Sequence, residues 1–191
     1  ANPLSTQVRQ LQATTNSGDV FLSNAGTINL NTSNINGDFK LTTNGDEITD
    51  NGSLTITGTT TLDAGTNNIT LDNANNFSTV VANGANVTLN DNNEINLGAS
   101  TITGNLGVTA TDVNINGTVA AANATFKPSS ATSTIGIGDS AAGTFNLNAT
   151  DLSNLQSGGT VTIGNSTVTG NVNINTVDLS GETFNLTVQG G

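Results

Sequence analysis

Three stretches of the chain share one skeleton, and this limits the fold more than any other feature. They are Ile28 to Leu41, INLNTSNINGDFKL; Ile95 to Val108, INLGASTITGNLGV; and Val161 to Ile174, VTIGNSTVTGNVNI. Aligned without a gap, they match apolar residues at Ile28, Ile95 and Val161, at Leu30, Leu97 and Ile163, and at Ile35, Ile102 and Val168. Ser33, Ser100 and Ser166 coincide, as do Gly37, Gly104 and Gly170, each glycine followed two residues later by another apolar-x-apolar pair. The starts lie 67 and 66 residues apart, too long for one solenoid turn but close to three turns of about 22 residues.

Within each stretch, apolar residues alternate with Asn, Thr or Gly, the period of a strand with one buried and one wet face. The strands are short, about three to five residues, and are separated by Asn, Gly, Asp and Ser, which tolerate tight turns. Gly104 and its two counterparts read as corners. An Asn at a corner can stack on an Asn of the next turn, and such a ladder satisfies amides that would otherwise compete with the backbone. One turn of this kind has almost no core, so turns must stack about 4.8 Å apart around a shared apolar column. The expected fold is therefore all-β, a parallel β-solenoid of about eight or nine turns and roughly 40 Å in length, with almost no helix.

Composition decides only whether such a stack is needed. The chain has no Trp, Tyr, Cys or Met, 3% aromatic and 34% hydrophobic residues, while Asn and Thr each supply about a sixth. An ordinary globular core is hard to build from that, and the composition alone would fit disorder. The alternation argues for order, because it places Ile, Leu, Val and Phe at strand spacing from Val20 through Val188. Arg9, Lys40 and Lys127 face fourteen acidic residues, a formal charge of -11. Phosphate binding needs clustered Lys and Arg, so nucleic acid is excluded as an expected partner, and anionic membrane surfaces are disfavoured. The acidity instead keeps a long neutral-looking surface soluble. No apolar run reaches the 18 or so residues of a membrane span. The start, ANPLSTQVRQ, has no Met, basic stretch or apolar run of a signal peptide, and the chain reads as a piece of a longer one.

Along the chain the inward pairs come regularly: Val20 and Leu22, Ile28 and Leu30, Phe39 and Leu41, Leu54 and Ile56, Ile69 and Leu71, Val87 and Leu89, Val113 and Ile115. Leu11 and Ala13 are candidates for the first inward strand. Residues 1–191 read as one continuous coil with an irregular seam at 119–133, where the pattern weakens and Pro128 removes a strand donor. Ile135 and Ile137, Phe145 and Leu147, and Leu152 and Leu155 resume the series, which ends at Phe184, Leu186 and Val188.

Catalytic signatures are sparse. Without His or Cys, the common bases, thiol nucleophiles and transition-metal sites are missing. Two carboxylates suffice for a glycosidase, and Asp46, Glu47 and Asp50 form one acidic group, Asp91 and Glu94 another. Sugar-processing grooves add aromatic platforms, however, and most of the six Phe look inward, so solvated acidic turns are the expected state of both groups. Oxygen ligands of this kind also suit Ca²⁺, but the repeating GGxGxD of calcium-loaded rolls is absent. No catalytic, cofactor-binding or metal-binding residue and no cofactor is therefore assigned. Asn-x-Ser/Thr sequons at Asn31, Asn68, Asn86, Asn116, Asn148 and Asn165 follow from the Asn- and Thr-rich composition. Thr101 and Thr103, Thr167 and Thr169, and Thr55 and Thr57 have the Thr-x-Thr form of an ice-binding strand, but they do not recur on every expected turn.

The phrases ITDNGSLTITGTTTLDAGTNNITLDNANNFSTV and SNLQSGGTVTIGNSTVTGNVNI resemble the repeat region of filamentous haemagglutinin-type exoproteins of Gram-negative bacteria. That resemblance implies a right-handed parallel β-helix within a very long, fibrous, extracellular or cell-surface adhesin, commonly exported by the two-partner route. It further implies a non-enzymatic shaft serving adhesion, aggregation and biofilm formation. Its expected partners are neighbouring β-helical segments of the same chain and cell-surface glycans or proteins, without nucleic acid or membrane insertion. The alternatives are a polysaccharide-active β-helix, marked by a groove with paired carboxylates, and an ice-binding solenoid, marked by a flat Thr face on consecutive turns.

Overall fold

A computed structural model, which describes residues 2–190, shows an all-β chain wound as a parallel β-solenoid. Its strands fall into three stacks, one per face. On face 1 the inward residues Ile28, Ile48, Ile69, Val87, Leu106, Ala124, Val161 and Leu186 lie in register. Face 2 stacks Ser33–Ile35 on Leu54–Ile56 and then on Asn76 and Phe77, with Ile95 above Val113 further along. Face 3 runs through Ser5, Ser23, Thr42, Asp63, Asn83, Thr101, Ala120 and Gln156.

In the regular turns the step is mostly 18 to 21 residues, seen in contacts such as Thr6 to Asn24 and Leu54 to Asn75, narrowing to 17 where Val80 pairs with Leu97 and widening to 25 in the last step, from Val161 to Leu186. Three short strands and three tight corners close a turn within that length, so the expected 22 is too long. The solenoid comprises about seven turns, fewer than the expected eight or nine. The difference arises near the C-terminus, where Val119 pairs with Leu155 and a single step absorbs a long excursion.

Alternation sets the inside and outside as expected. Ile102 is buried and Thr103 exposed, and Phe39, Phe77, Phe126 and Phe145 are all inside the column. Thr60 is the exception: it takes an inward position in line with Phe39 and Val80, and its hydroxyl is buried without a hydrogen-bond partner among the described residues. Gly37 and Gly104 are corners, as the repeat suggested. A Cβ at Gly37 would stand 2.6 Å from the Gly18 backbone, and one at Gly104 would stand 2.5 Å from Asn86 Oδ1. The turns pass too closely there for any side chain.

The irregular segment lies later than the sequence indicated. Val119–Ala121 and Asn123–Pro128 keep their places, Pro128 included, opposite strands of the neighbouring turns. The chain departs at Ser129 and returns with Leu155–Ser157. In between, Ile135–Ile137 and Phe145–Leu147 pair in parallel, and Ala149–Ser153 forms a five-residue helix. Leu152 is therefore buried from a helix, not from the expected strand pair. Parallel neighbours normally need a crossover of a dozen or more residues. Here residues 138–144 suffice, turned by Gly138 and Ser140 with positive φ of 89° and 60°. Phe145–Leu147 packs on Asp112–Ile115, Ile135–Ile137 lies beyond it, and Val172–Ile174 comes next. The later strand thus lies below the earlier one, a single backward step in the winding.

Candidate functional site

Polar side chains are concentrated along the edges where the faces meet. On the edge from face 3 to face 1, Asn86 Nδ2 and the Asn86 N–H both donate to Asn68 Oδ1, at 3.0 and 3.1 Å. Asn105 N–H donates to Asn86 Oδ1, Asn123 Nδ2 to Asn105 Oδ1, and Thr160 N–H to Asn123 Oδ1. This is the asparagine ladder the corner composition predicted, and it fixes the amides of two sequons, Asn68 and Asn86. Sequons at Asn148 and Asn165 are engaged as well: Asn148 caps the short helix, and Asn165 Oδ1 accepts from Thr167.

The edge from face 2 to face 3 uses carboxylates in the same manner. Asp38 N–H donates to Asp19 Oδ1 at 2.9 Å, and Thr59 N–H donates to Asp38 Oδ1 at 2.8 Å. Each acid receives the backbone donor of the following turn.

Of the two acidic groups considered for catalysis or calcium, Asp46 and Glu47 lie on the edge from face 3 to face 1, and Asp50, Asp91 and Glu94 on the edge from face 1 to face 2. The structure divides each group. Glu47 and Glu94 are exposed, Glu94 accepting from Asn114 Nδ2 at 2.7 Å. Asp50 and Asp91 are buried, contrary to the expectation of solvated turns, because each replaces a missing backbone partner at the corner. Asp50 accepts from Asp72 N–H, Asn73 Nδ2 and Asn75 Nδ2. Asn75 is itself buried and accepts from Leu54 N–H at 2.8 Å. Asp91 accepts from Phe77 N–H at 3.0 Å. Burial pushes the Asp91 carboxyl up to about 6, and the backbone donors of Phe77, Asn93 and Asn92 only partly counter it. Both carboxylates are thus occupied inside their corners, Asp50 by one backbone and two side-chain donors and Asp91 by backbone donors. Among the described residues no group of three or more such side chains is placed to hold a metal ion.

At the excursion, carboxylates stand in for a strand ladder. Asp112 Oδ1 accepts from Asn146 N–H at 2.6 Å. Asp151 Oδ1 accepts from Ile115 N–H at 2.7 Å, and Asn154 Nδ2 donates to the Ile115 carbonyl at 2.7 Å. Asp151 Oδ2 also accepts from Asn148 N–H, completing the helix cap. The Asp151 carboxyl is shifted upward, chiefly by burial, partly offset by the Ile115 and Asn148 donors and reinforced by the nearby Asp112 charge. Neither Asp112 nor Asp151 stands out in the sequence, since their partners lie more than thirty residues away.

Outward residues of face 1 form the most regular surface. Thr49, Thr70, Thr88, Gly107, Thr125, Thr162 and Thr187 share one register position on successive rungs. The Thr-x-Thr pairs of the sequence do not contribute: Thr55 is on face 2, Thr101 on face 3, and Thr167 in a loop. Gly107 leaves a shallow notch in the file, bordered by Asn86, Asn105, Thr88, Thr125 and Lys127.

The long period of the sequence also defines a family. Repeats of unknown function, DUF5649, match residues 17–83 and 84–152. The chain belongs to this family. No curated protein and no solved structure matches it. The DUF5649 unit is therefore the long repeat, not the single turn, and the junction of its two copies falls at Asn83 and Gly84. That junction lies inside the face-3 stack, where Asn83 pairs backward with Asp63 and forward with Thr101. No helix among the described residues is long and apolar enough to cross a membrane.

Proposed function

We propose that this chain is a non-enzymatic shaft segment of a large adhesin-like exoprotein displayed outside the cell or on its outer surface. In this reading the solenoid is the right-handed β-helix that the haemagglutinin-type resemblance implies, and the repeats serve as spacer with a weak, distributed contact surface. The observation that carries it is the junction at Asn83 and Gly84. Two copies join in mid-stack without a linker or break in register, so adding copies lengthens one rod instead of stringing separate domains together. The acidity supports it too, since long rods of charge -11 per segment repel one another. Partners of such a shaft are the flanking segments of its own chain and cell-surface glycans or proteins.

The test is to display a receptor-binding tip on a non-adherent Gram-negative cell behind this segment, then behind two tandem copies. The expected result is greater reach and stronger cell aggregation with the longer shaft, with no turnover of neutral or acidic polysaccharides by either. Length-independent adhesion, or hydrolysis lost in Glu47→Gln or Glu94→Gln, would overturn the reading.

A second reading, ice binding, draws on the face-1 threonine file. It predicts thermal hysteresis by the purified chain that disappears in Thr88→Tyr together with Thr125→Tyr; freezing at the buffer's own freezing point would eliminate it.

A further inference from the structure

The 67 residues separating the first two repeat units do not correspond to a whole number of turns. Ile28 and Leu30 are on face 1, whereas their counterparts Ile95 and Leu97 come after the next corner, stacked on Val113 and Ile115, with Leu97 also paired to Val80 where the face-2 and face-3 stacks meet. Ser33 and Ile35 are on face 2, and their counterparts Ser100 and Ile102 are on face 3. Phe39 and Leu41 are on face 3, and Leu106 and Val108 are on face 1. All three pairs shift by one face in the same sense. The first repeat therefore advances the chain by three turns and one further strand.

The local structure moves with the residues. Ser33 Oγ accepts from Ala13 N–H and donates to the Asn31 carbonyl, and Ser100 Oγ accepts from Ala82 N–H and donates to the Gly98 carbonyl. The bond from Asp38 N–H to Asp19 Oδ1 on one edge reappears, one repeat later, as the bond from Asn105 N–H to Asn86 Oδ1 on the next edge. Identical brackets on different edges mean that the three corners are interchangeable environments, so no corner resists the rotation. A repeat of three whole turns, about 60 residues, would have placed the copies in line.

We infer that repeats wound without an excursion, as the first is, present every repeat-borne surface feature on a spiral, one face further round with each copy; the second repeat, which carries the excursion, instead brings Val161 back to face 1. A feature returns to its original face only after three repeats, or about ten turns, roughly 48 Å along the rod. A flat partner lying along the rod therefore meets a given feature sparsely, whereas a network of polymer chains surrounding the rod meets it from three sides. This deepens the distributed-contact part of the shaft reading and rests on it there, but the geometry itself does not depend on adhesion. The face-1 threonine file is not carried by the repeat, since Thr49 corresponds in the next unit to Asn116 and Thr70 to Ile137, which is buried in the excursion.

Nitroxide labels on paired cysteines in the whole chain test the spiral. Thr42→Cys with Thr101→Cys reports three rungs of one file, expected at about 14 Å by dipolar electron spin resonance. Thr42→Cys with Thr109→Cys reports repeat-equivalent positions, which the spiral places on different faces and at least about 8 Å further apart. Asn29→Cys with Thr88→Cys and Asn29→Cys with Asn96→Cys repeat the contrast from face 1, in case one pair perturbs folding. Repeat-equivalent pairs as close as the same-file pairs would overturn the inference. Loss of adhesion in the displayed shaft with these distances unchanged would sink the functional reading and leave the spiral intact.

Discussion

The turns up to Pro128 and the excursion from Ser129 to Asn154 are built from the same residue types, yet they hold together differently. In the regular turns each strand bonds to the turns below and above through its backbone, and side chains are needed only at the edges. Within the excursion the backbone ladder between Asp112–Ile115 and Phe145–Leu147 is replaced by Asp112, Asp151 and Asn154. Stability is therefore spread in one region and concentrated in the other. Damage to a regular turn is shared by two neighbours, whereas the excursion depends on a few buried polar groups.

The largest effect is expected in the regular region. Ile102→Asp places a carboxylate in an apolar column too narrow to hydrate it, at a cost of about 4 kcal/mol even if the group protonates. Thr103→Asp, one residue away on the outer face, should cost less than about 0.5 kcal/mol. Hydrogen exchange should show the loss of protection for Ile102→Asp centred on the adjacent turns. Equal losses for the two variants would mean that inside and outside are misassigned.

Next in size is Asp151→Ala. It leaves the Ile115 N–H without its acceptor and removes the helix bracket, for about 2 to 3 kcal/mol. Exchange should accelerate in 112–115 and 129–154 while the turns before Leu97 keep their protection. Uniform acceleration along the whole chain would erase the contrast between the two regions.

Acid titration sharpens the contrast further, because each region holds a buried carboxyl whose folded-state value is raised. Such a group contributes its full stability below its unfolded value near 3.8 and loses it as pH rises through the folded value, about 6 for Asp91. The melting temperature should therefore fall from pH 4 to pH 7. Asp91→Asn keeps an acceptor for Phe77 without the charge, and should recover about 1 to 2 kcal/mol at pH 7. A melting temperature that rises across this range would contradict the burial of both groups.

The smallest expected effect is Thr60→Val, which removes an unpartnered hydroxyl from the column at nearly constant shape. It should raise stability by about 0.5 to 1 kcal/mol without altering the excursion. Denaturant titration of the variant would detect it, and a loss of stability would show that the hydroxyl is satisfied in solution.

The strands themselves, the inward set and the asparagine ladder are legible in the sequence, because each depends on residues two apart or on one corner type. Ile102 inward and Thr103 outward need nothing more than the strand period. Turn length is harder to read. A gapless alignment of Ile28 with Ile95 is correct as a repeat but joins different faces, so dividing the period by three gives too long a turn. The threonine file is hidden for a related reason: Thr49, Thr70 and Thr88 align only once the uneven steps between turns are known. Asp50 and Asp91 resemble solvated turn acids because the backbone N–H groups that bury them, those of Asp72 and Phe77, belong to other turns and carry no local mark. The backward step at 138–144 leaves only a weakened pattern and a proline in the sequence, and the proline is in register.

The backward step limits how the rod can be assembled in time. A regular solenoid can grow from a finished end, each strand settling on the turn beneath as soon as it arrives. Ile135–Ile137 cannot do so, because the strand that must lie beneath it, Phe145–Leu147, comes later in the chain. Until that strand arrives the growing tip holds a gap, and it closes only when the helix at Ala149–Ser153 delivers Asp151 to Ile115. A rod that otherwise zips one turn at a time thus contains one place where zipping must wait for residues still to come.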